Sequence, residues 1–190
     1  MGNAARRAFD TERTRDLFDK RGLAGARRGG DQDALTRHLT AALAPHRGKV
    51  LSGYWPMRGE ADPRPAMAAH DGPLCLPVVP GRAVPLVFRR WDGEALVPGP
   101  FGTLHPAESQ PVLVPQILIV PLAGFDARGN RIGYGGGYYD RTLQLLRESG
   151  QVQAIGLAFA VQELPHIPAE PFDQPLDLIV TDGGLIHPHS

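Results

Sequence analysis

The chain has 190 residues, 42% apolar and 21% charged, with 20 Lys and Arg offset by 20 Asp and Glu and seven His besides. This is the composition of a soluble, single-domain globular protein long enough to bury a core, and zero net charge excludes the global electrostatics of a nucleic-acid or anionic-membrane partner. The single Cys75 excludes an internal disulfide and a thiolate zinc site, and "MGNAARRAFDTERTR" lacks the apolar centre of a secretory signal, so a cytoplasmic protein is expected.

Residues 8–28 and 31–45 are predicted helices, the second carrying Leu35, Leu39 and Leu43 at four-residue spacing. Before residue 30, eight basic residues (Arg6, Arg7, Arg13, Arg15, Lys20, Arg21, Arg27, Arg28) face four acids (Asp10, Glu12, Asp16, Asp19). They form either the solvated face of an amphipathic helix or arginines that reach a phosphate. "KVLSGYWP" (49–56) is a predicted strand ending at Pro56, followed by the loop "MRGEADPRP" and a brief helix over 64–70. "LCLPVV" (74–79) and "AVPLVFRRW" (83–91) are predicted strands rich in β-branched and aromatic residues. "QILIVPLAGF" (116–125) is a buried strand leaving through Pro121, and the most apolar stretch around it, "VPQILIVPLAGF" (114–125), is too short and proline-broken for the roughly 20 apolar residues of a bilayer crossing. "YYDRTLQLLRES" (138–149) is a helix with Leu143 and Leu146 inward, and "VQAIGLAFA" (152–160) and "LDLIVTD" (176–182) are two more strands before a tail over 183–190. Near-continuous apolar strands alternating with helices predict an α/β fold. The expected arrangement is one domain with a mostly parallel sheet covered by helices on both faces, a Rossmann-like three-layer arrangement.

Between the 116–125 strand and the 138–149 helix lies "RIGYGGGYYDRTL" (131–143), with Gly133, Gly135, Gly136 and Gly137 in five positions. In an open α/β sheet ligands sit outside the carboxyl ends of the strands, where this loop opens. Its backbone N–H groups and the positive end of the following helix suit a phosphate. It is not a Walker A loop, for no Lys-Ser/Thr follows, and Tyr138 stands where G-x-G-x-x-G needs a third glycine. An ordinary turn that needs positive φ is the competing reading. Asp140 in the first helical turn gains about 0.3–1 kcal/mol from the helix end without any ligand, and beside phosphates it can hold Mg²⁺. Arg131 and Arg141 flank the glycines and can neutralise a phosphoryl group or pair with neighbouring acids.

"VPLAGFDARGNRIGYGGGYYDRTL" (120–143), joining F-D-x-x-G to G-G-G-Y-Y-D-R, resembles the 5-formyltetrahydrofolate cyclo-ligase (5,10-methenyltetrahydrofolate synthetase) family. So do "GYWPMRGEADPRP" (53–65), "LCLPVV", "PLVFRRW" (85–91) and "PFDQPLDLIVTD" (171–182), so the likeness covers roughly residues 49–182. The resemblance implies an ATP- and Mg²⁺-dependent closure of 5-formyltetrahydrofolate to 5,10-methenyltetrahydrofolate. It implies that Arg131, Ile132, Gly133, Tyr134, Gly135, Gly136, Gly137, Tyr138 and Tyr139 contact ATP, and that Arg131, Tyr138 and Arg141 serve the transfer. Asp140 and Asp173 would bind Mg²⁺. Glu60 would hold the pterin, Trp55 would supply an apolar wall or else be a core aromatic, and Tyr134 to Tyr138 would border the folate. Such chemistry needs positioning and charge neutralisation rather than a nucleophilic side chain.

The chain departs from the family pattern in having no lysine before Lys20, in Pro63 and Phe172, and in His105-Pro106. The missing lysine makes a second class thinkable, a protein that sequesters reduced folates or nucleotides without turnover. A third, an arginine helix docking on RNA, would show affinity that falls steeply with salt. His187 and His189 in the tail suggest metal only weakly.

Overall fold

A computed structural model describes residues 29–57, 59–150 and 152–188. The helix expected over 8–28 with its basic residues, together with Arg58 and His189, lies outside the described residues. The first helix described is α1 (Gly29–Leu43), and its leucine spacing has the expected consequence, since Leu35, Leu39 and Leu43 are all buried. After β1 (Leu51–Ser52) come the short helix α2 (Arg64–Ala68), β2 (Leu74–Val78), β3 (Val87–Arg90) and the hairpin of β4 (Val97–Pro98) with β5 (Leu104–His105). Then follow β6 (Ile117–Pro121), a second hairpin of β7 (Gly124–Phe125) with β8 (Arg131–Ile132), and α3 (Tyr138–Ser149). The chain continues through β9 (Gln153–Leu157), β10 (Leu178–Thr181) and β11 (Gly184–Ile186).

Seven strands form one sheet in the order β11-β10-β9-β6-β1-β2-β3. The five central strands are parallel, and β3 and β11 close the edges antiparallel. Side-chain alternation along β6 builds both layers of core. Ile117 and Ile119 join Leu35 and Leu39 of α1 on one face, whereas Leu118 and Val120 join Leu143 of α3 on the other. All five β6 residues are buried, and each large aliphatic side chain so covered contributes about 1.5–3 kcal/mol. The three-layer α/β arrangement is therefore the one its apolar strands require.

Several strands are shorter than their apolar runs. The run from 83 begins pairing at Val87 because Ala83 takes a left-handed φ of 55° and Pro85 has no N–H. The 116–125 run divides at Pro121, and its last residues pair locally with β8 instead. Where the tail was expected, a turn at Asp182-Gly183 returns the chain as edge strand β11, with Gly184 paired to Thr181. Cys75 is buried, and burial pushes its thiol up to about 12, so it is unreactive at neutral pH. No helix of the described residues is long and apolar enough to cross a membrane.

From β1 the chain steps to β2 on one side, while β6 lies on the other. That reversal opens a crevice between the carboxyl ends of β1 and β6. The residues following these two strands, 53–62 and 122–140, form its walls.

Candidate active site

The β6 wall ends in the glycine loop. Gly135 and Gly137 take left-handed backbone, with φ of 83° and 60°, and Gly137 is the N-cap of α3. No side chain caps this helix, so the first-turn N–H groups face the loop without a capping acceptor. Gly136 is not left-handed; its constraint is space, because a Cβ there would stand 2.6 Å from Cδ2 and Cε2 of Tyr138. The start of α3 is pinned from behind, where the Thr142 hydroxyl donates to the Tyr138 carbonyl at 2.6 Å and accepts from Leu86 N–H at 2.9 Å. Gly136→Ala is accordingly expected to displace the Tyr138 ring and weaken ATP about tenfold while changing folate affinity less, the outcome of about 1–3 kcal/mol of overpacking. Equilibrium titration with each ligand checks this, and unchanged ATP affinity would make the loop an ordinary turn.

Charge is arranged around that loop. Arg131, its side chain 7% exposed, donates from Nη2 to Asp140 Oδ1 at 2.5 Å. Gln174 N–H reaches the same oxygen at 3.2 Å. Arg141 donates to the Gly136 carbonyl and holds its guanidinium 5.7 Å from the Tyr138 ring centre. Both arginines keep a buried Nε with no hydrogen-bond partner among the described residues. Two such unpartnered donors on arginines beside a glycine loop fit an anionic ligand. Asp173 is exposed and accepts from Glu170 N–H at 2.8 Å; its neighbour Gln174 makes the bond to Asp140, which brings the two aspartates into one neighbourhood. No group of three or more His, Cys, Asp or Glu fit for a metal exists among the described residues. Two carboxylates are what Mg²⁺ uses when phosphate and water complete its shell. The donor set fits that ion in the company of a phosphate ligand.

The β1 wall carries the other expected residues. Tyr54 is buried, and its hydroxyl donates to the Ala61 carbonyl at 2.5 Å. Gln32 of α1 grips the next residue twice, donating to the Asp62 carbonyl at 2.9 Å and accepting Asp62 N–H at 3.0 Å. Between these anchors and Met57 the loop turns so that Glu60 Oε2 accepts Met57 N–H at 2.7 Å. Trp55 is half-buried in the manner of a core aromatic: it packs against the core, meets Trp91 edge-on at 5.9 Å, and carries the Arg64 guanidinium 4.4 Å over its ring.

The two walls feel each other electrostatically. The Tyr54 phenol is held well above its ordinary value, first by burial and then by the Glu60 charge, with Tyr134 and Tyr139 adding to it. Tyr139, in the first turn of α3, is likewise raised by burial and then by Glu60, while Arg131 opposes the shift. Glu60 therefore lies near enough to the tyrosines that flank the glycine loop to act on them, and Tyr134 among these is exposed. Of the departures noted above, Pro63 caps α2, Phe172 is exposed, and His105 sits on the β4–β5 hairpin. A depression of ≈ 480 Å³ along α3, lined by Gln144, Arg147, Glu148, Pro171, Phe172 and Gln174, lies beside the Asp173 segment. Sequence reasoning missed Tyr54, Gln32 and Gln174; the first sat inside an apolar run, and no local signal marks the other two.

The sequence model of the 5-formyltetrahydrofolate cyclo-ligase family matches residues 5–182. A 5-formyltetrahydrofolate cyclo-ligase of Haemophilus influenzae is 30% identical over 159 residues, which covers 78% of this chain and 84% of that one. One from Mycolicibacterium smegmatis is 28% identical over 183 residues, covering 89% and 91%. Among solved structures, the 5,10-methenyltetrahydrofolate synthetase of Aquifex aeolicus aligns with a TM-score of 0.72 at 26% identity, over 96% of this chain and 94% of its own. A Mycoplasma pneumoniae synthetase, 22% identical, shares the fold with a TM-score of 0.67 over 96% of this chain and 99% of that one.

Proposed function

The chain belongs to the 5-formyltetrahydrofolate cyclo-ligase family, and we propose that it closes 5-formyltetrahydrofolate to 5,10-methenyltetrahydrofolate, with ATP as co-substrate and ADP and phosphate released. The observation that carries this reading is the Arg131–Asp140 pair beside the left-handed glycines after β6, next to the loop after β1 whose Glu60 charge helps to raise the Tyr139 phenol.

A formyl amide oxygen is a poor leaving group. In the reading proposed here that oxygen attacks the γ-phosphorus of ATP, the bond from phosphorus to ADP breaks, and the formyl carbon becomes activated. N10 then attacks that carbon, its proton is lost, and the carbon–oxygen bond breaks to free phosphate. No side chain becomes covalently attached, so the protein's work is orientation and charge. The N–H groups of 135–137 and the α3 end receive the phosphates, and the guanidinium groups of Arg131 and Arg141 neutralise the transferring group. Tyr138, whose ring lies against Gly136 and near Arg141, keeps that arginine on the loop. Asp140 and Asp173 would hold Mg²⁺, which supplies charge neutralisation on phosphate oxygens when bound. On the opposite wall the Glu60 carboxylate accepts from the pterin's amide-amine edge, and Trp55 gives it an apolar surface.

The test is direct. Methenyl product, followed optically, is expected only when 5-formyltetrahydrofolate, ATP and Mg²⁺ are present together. Folate binding with no product and no ATP hydrolysis would instead mark a sequestering protein, and product forming equally fast without ATP would remove phosphoryl activation from the reading.

A further inference from the structure

The Asp of the F-D-x-x-G stretch has no part in the site as described, yet it is the most heavily bonded carboxylate in the described structure. Asp126 is 1% exposed. Its Oδ1 accepts the backbone N–H groups of Arg128 at 3.0 Å and Asn130 at 3.1 Å. Its Oδ2 accepts Asn130 Nδ2 at 3.0 Å and, from 41 residues away, Ile167 N–H at 2.9 Å. Arg128 Nη2 approaches the same oxygen at 3.5 Å. Burial alone would raise the pKa of this carboxyl, and the bonds from Asn130, Ile167 and Arg128 outweigh it and hold the group below its usual value.

The consequence is topological. The β7–β8 turn that Asp126 closes runs directly into Arg131 and the glycine loop. The same turn holds the 167–176 segment at both ends, through Ile167 N–H on Asp126 and through Leu176 N–H on the Gly129 carbonyl at 3.0 Å. Asp173 rides in the middle of that strap, and Gln174 beside it bonds Asp140. Arg131 and Asp173 are far apart in sequence, yet each is tethered to one small turn.

We propose that Asp126 is a positioning residue: it sets the Asp173 strap against the Arg131 and glycine-loop wall, so that the phosphate and metal half of the site is assembled before ligand arrives. This rests on the functional reading above for what the assembled half binds. Asp126→Asn tests it well, because the amide keeps one acceptor for the turn while its NH₂ confronts the donors of Asn130 and Ile167. The expected result, from binding measured with Mg²⁺-ATP in the absence of folate, is an ATP dissociation constant raised about tenfold or more, the range for residues that orient ligands of a metal site. Folate affinity should stay within about twofold. Amide hydrogen exchange should accelerate in 131–137 and 168–175 and remain unchanged in 51–57.

A general loss of stability would instead raise both dissociation constants together and speed exchange throughout, which would overturn the proposal, as would wild-type ATP affinity with unchanged local exchange. If Asp126→Asn does not fold, Asn130→Ala removes one donor to Oδ2 and should shift the same two segments less strongly; no shift there overturns the idea equally. Failure of the wild-type protein to bind ATP would retire the functional reading alone, and the exchange comparison would still decide whether Asp126 joins the strap to the loop.

Discussion

Asp140→Asn is expected to retain the fold and lose the reaction, with kcat at saturating ATP falling about a hundredfold or more, the scale on which removing one fixed charge from a phosphoryl or oxyanion site is felt. The substitution keeps the shape and an acceptor oxygen for Arg131 Nη2 and Gln174 N–H. It removes the charge that Mg²⁺ would need. From the helix end alone the melting temperature would barely change. The ion pair revises that expectation, because Arg131 is almost fully buried and loses its counter-charge. A cost of about 1–3 kcal/mol follows, or a fall in Tm of about 2–4 °C for each kcal/mol at this chain length. Asp173→Asn supplies the comparison. That carboxylate is exposed, and its bond to Glu170 N–H closes only a local turn, so its loss should appear in Mg²⁺ dependence with little change in Tm. Turnover measured across a Mg²⁺ titration, alongside thermal melts, checks both; wild-type kcat for Asp140→Asn at every Mg²⁺ concentration would take the metal away from this residue.

What was legible in the sequence follows the range of the forces involved. The central strands could be read because each is buried on both faces and so written in continuous apolar residues, as in Ile117 to Val120. The leucine stripe of α1 and the glycines before α3 are likewise local patterns with local causes. Strand ends were harder, because pairing stops where a proline or a left-handed residue such as Ala83 intervenes, and the edge strand β11 depends on a turn at Asp182-Gly183 that resembles any other Asp-Gly pair in a tail. Within the site, Arg131 and Asp140 were each visible as charges near a glycine loop, but their pairing arises only once the β7–β8 hairpin folds the arginine back onto α3. Asp126 shows the same limit more sharply. In "FDARGN" it reads as a turn residue, and nothing in that stretch announces the Ile167 N–H it also binds.

Glu60→Gln should lower kcat/KM for the folate about tenfold or more with ATP affinity preserved, the outcome of losing about 1.5–3 kcal/mol of hydrogen bonding to a charged group. The local structure makes the substitution discriminating. Glu60 Oε2 already accepts Met57 N–H at 2.7 Å, and a glutamine carbonyl can take over that bond and keep the turn closed. The other end of the side chain then changes from acceptor to donor. A pterin that presents an N–H pair to it meets one acceptor and one donor in place of two acceptors, so binding is lost while the loop, held independently by Tyr54 on Ala61 and Gln32 on Asp62, stays in place. Removing the charge also relieves Tyr54 and Tyr139, whose phenols Glu60 helps to hold above their ordinary values after burial. If folate affinity is unchanged, Glu60 faces the tyrosines but not the substrate, and its carboxylate serves only to close the turn from Met57.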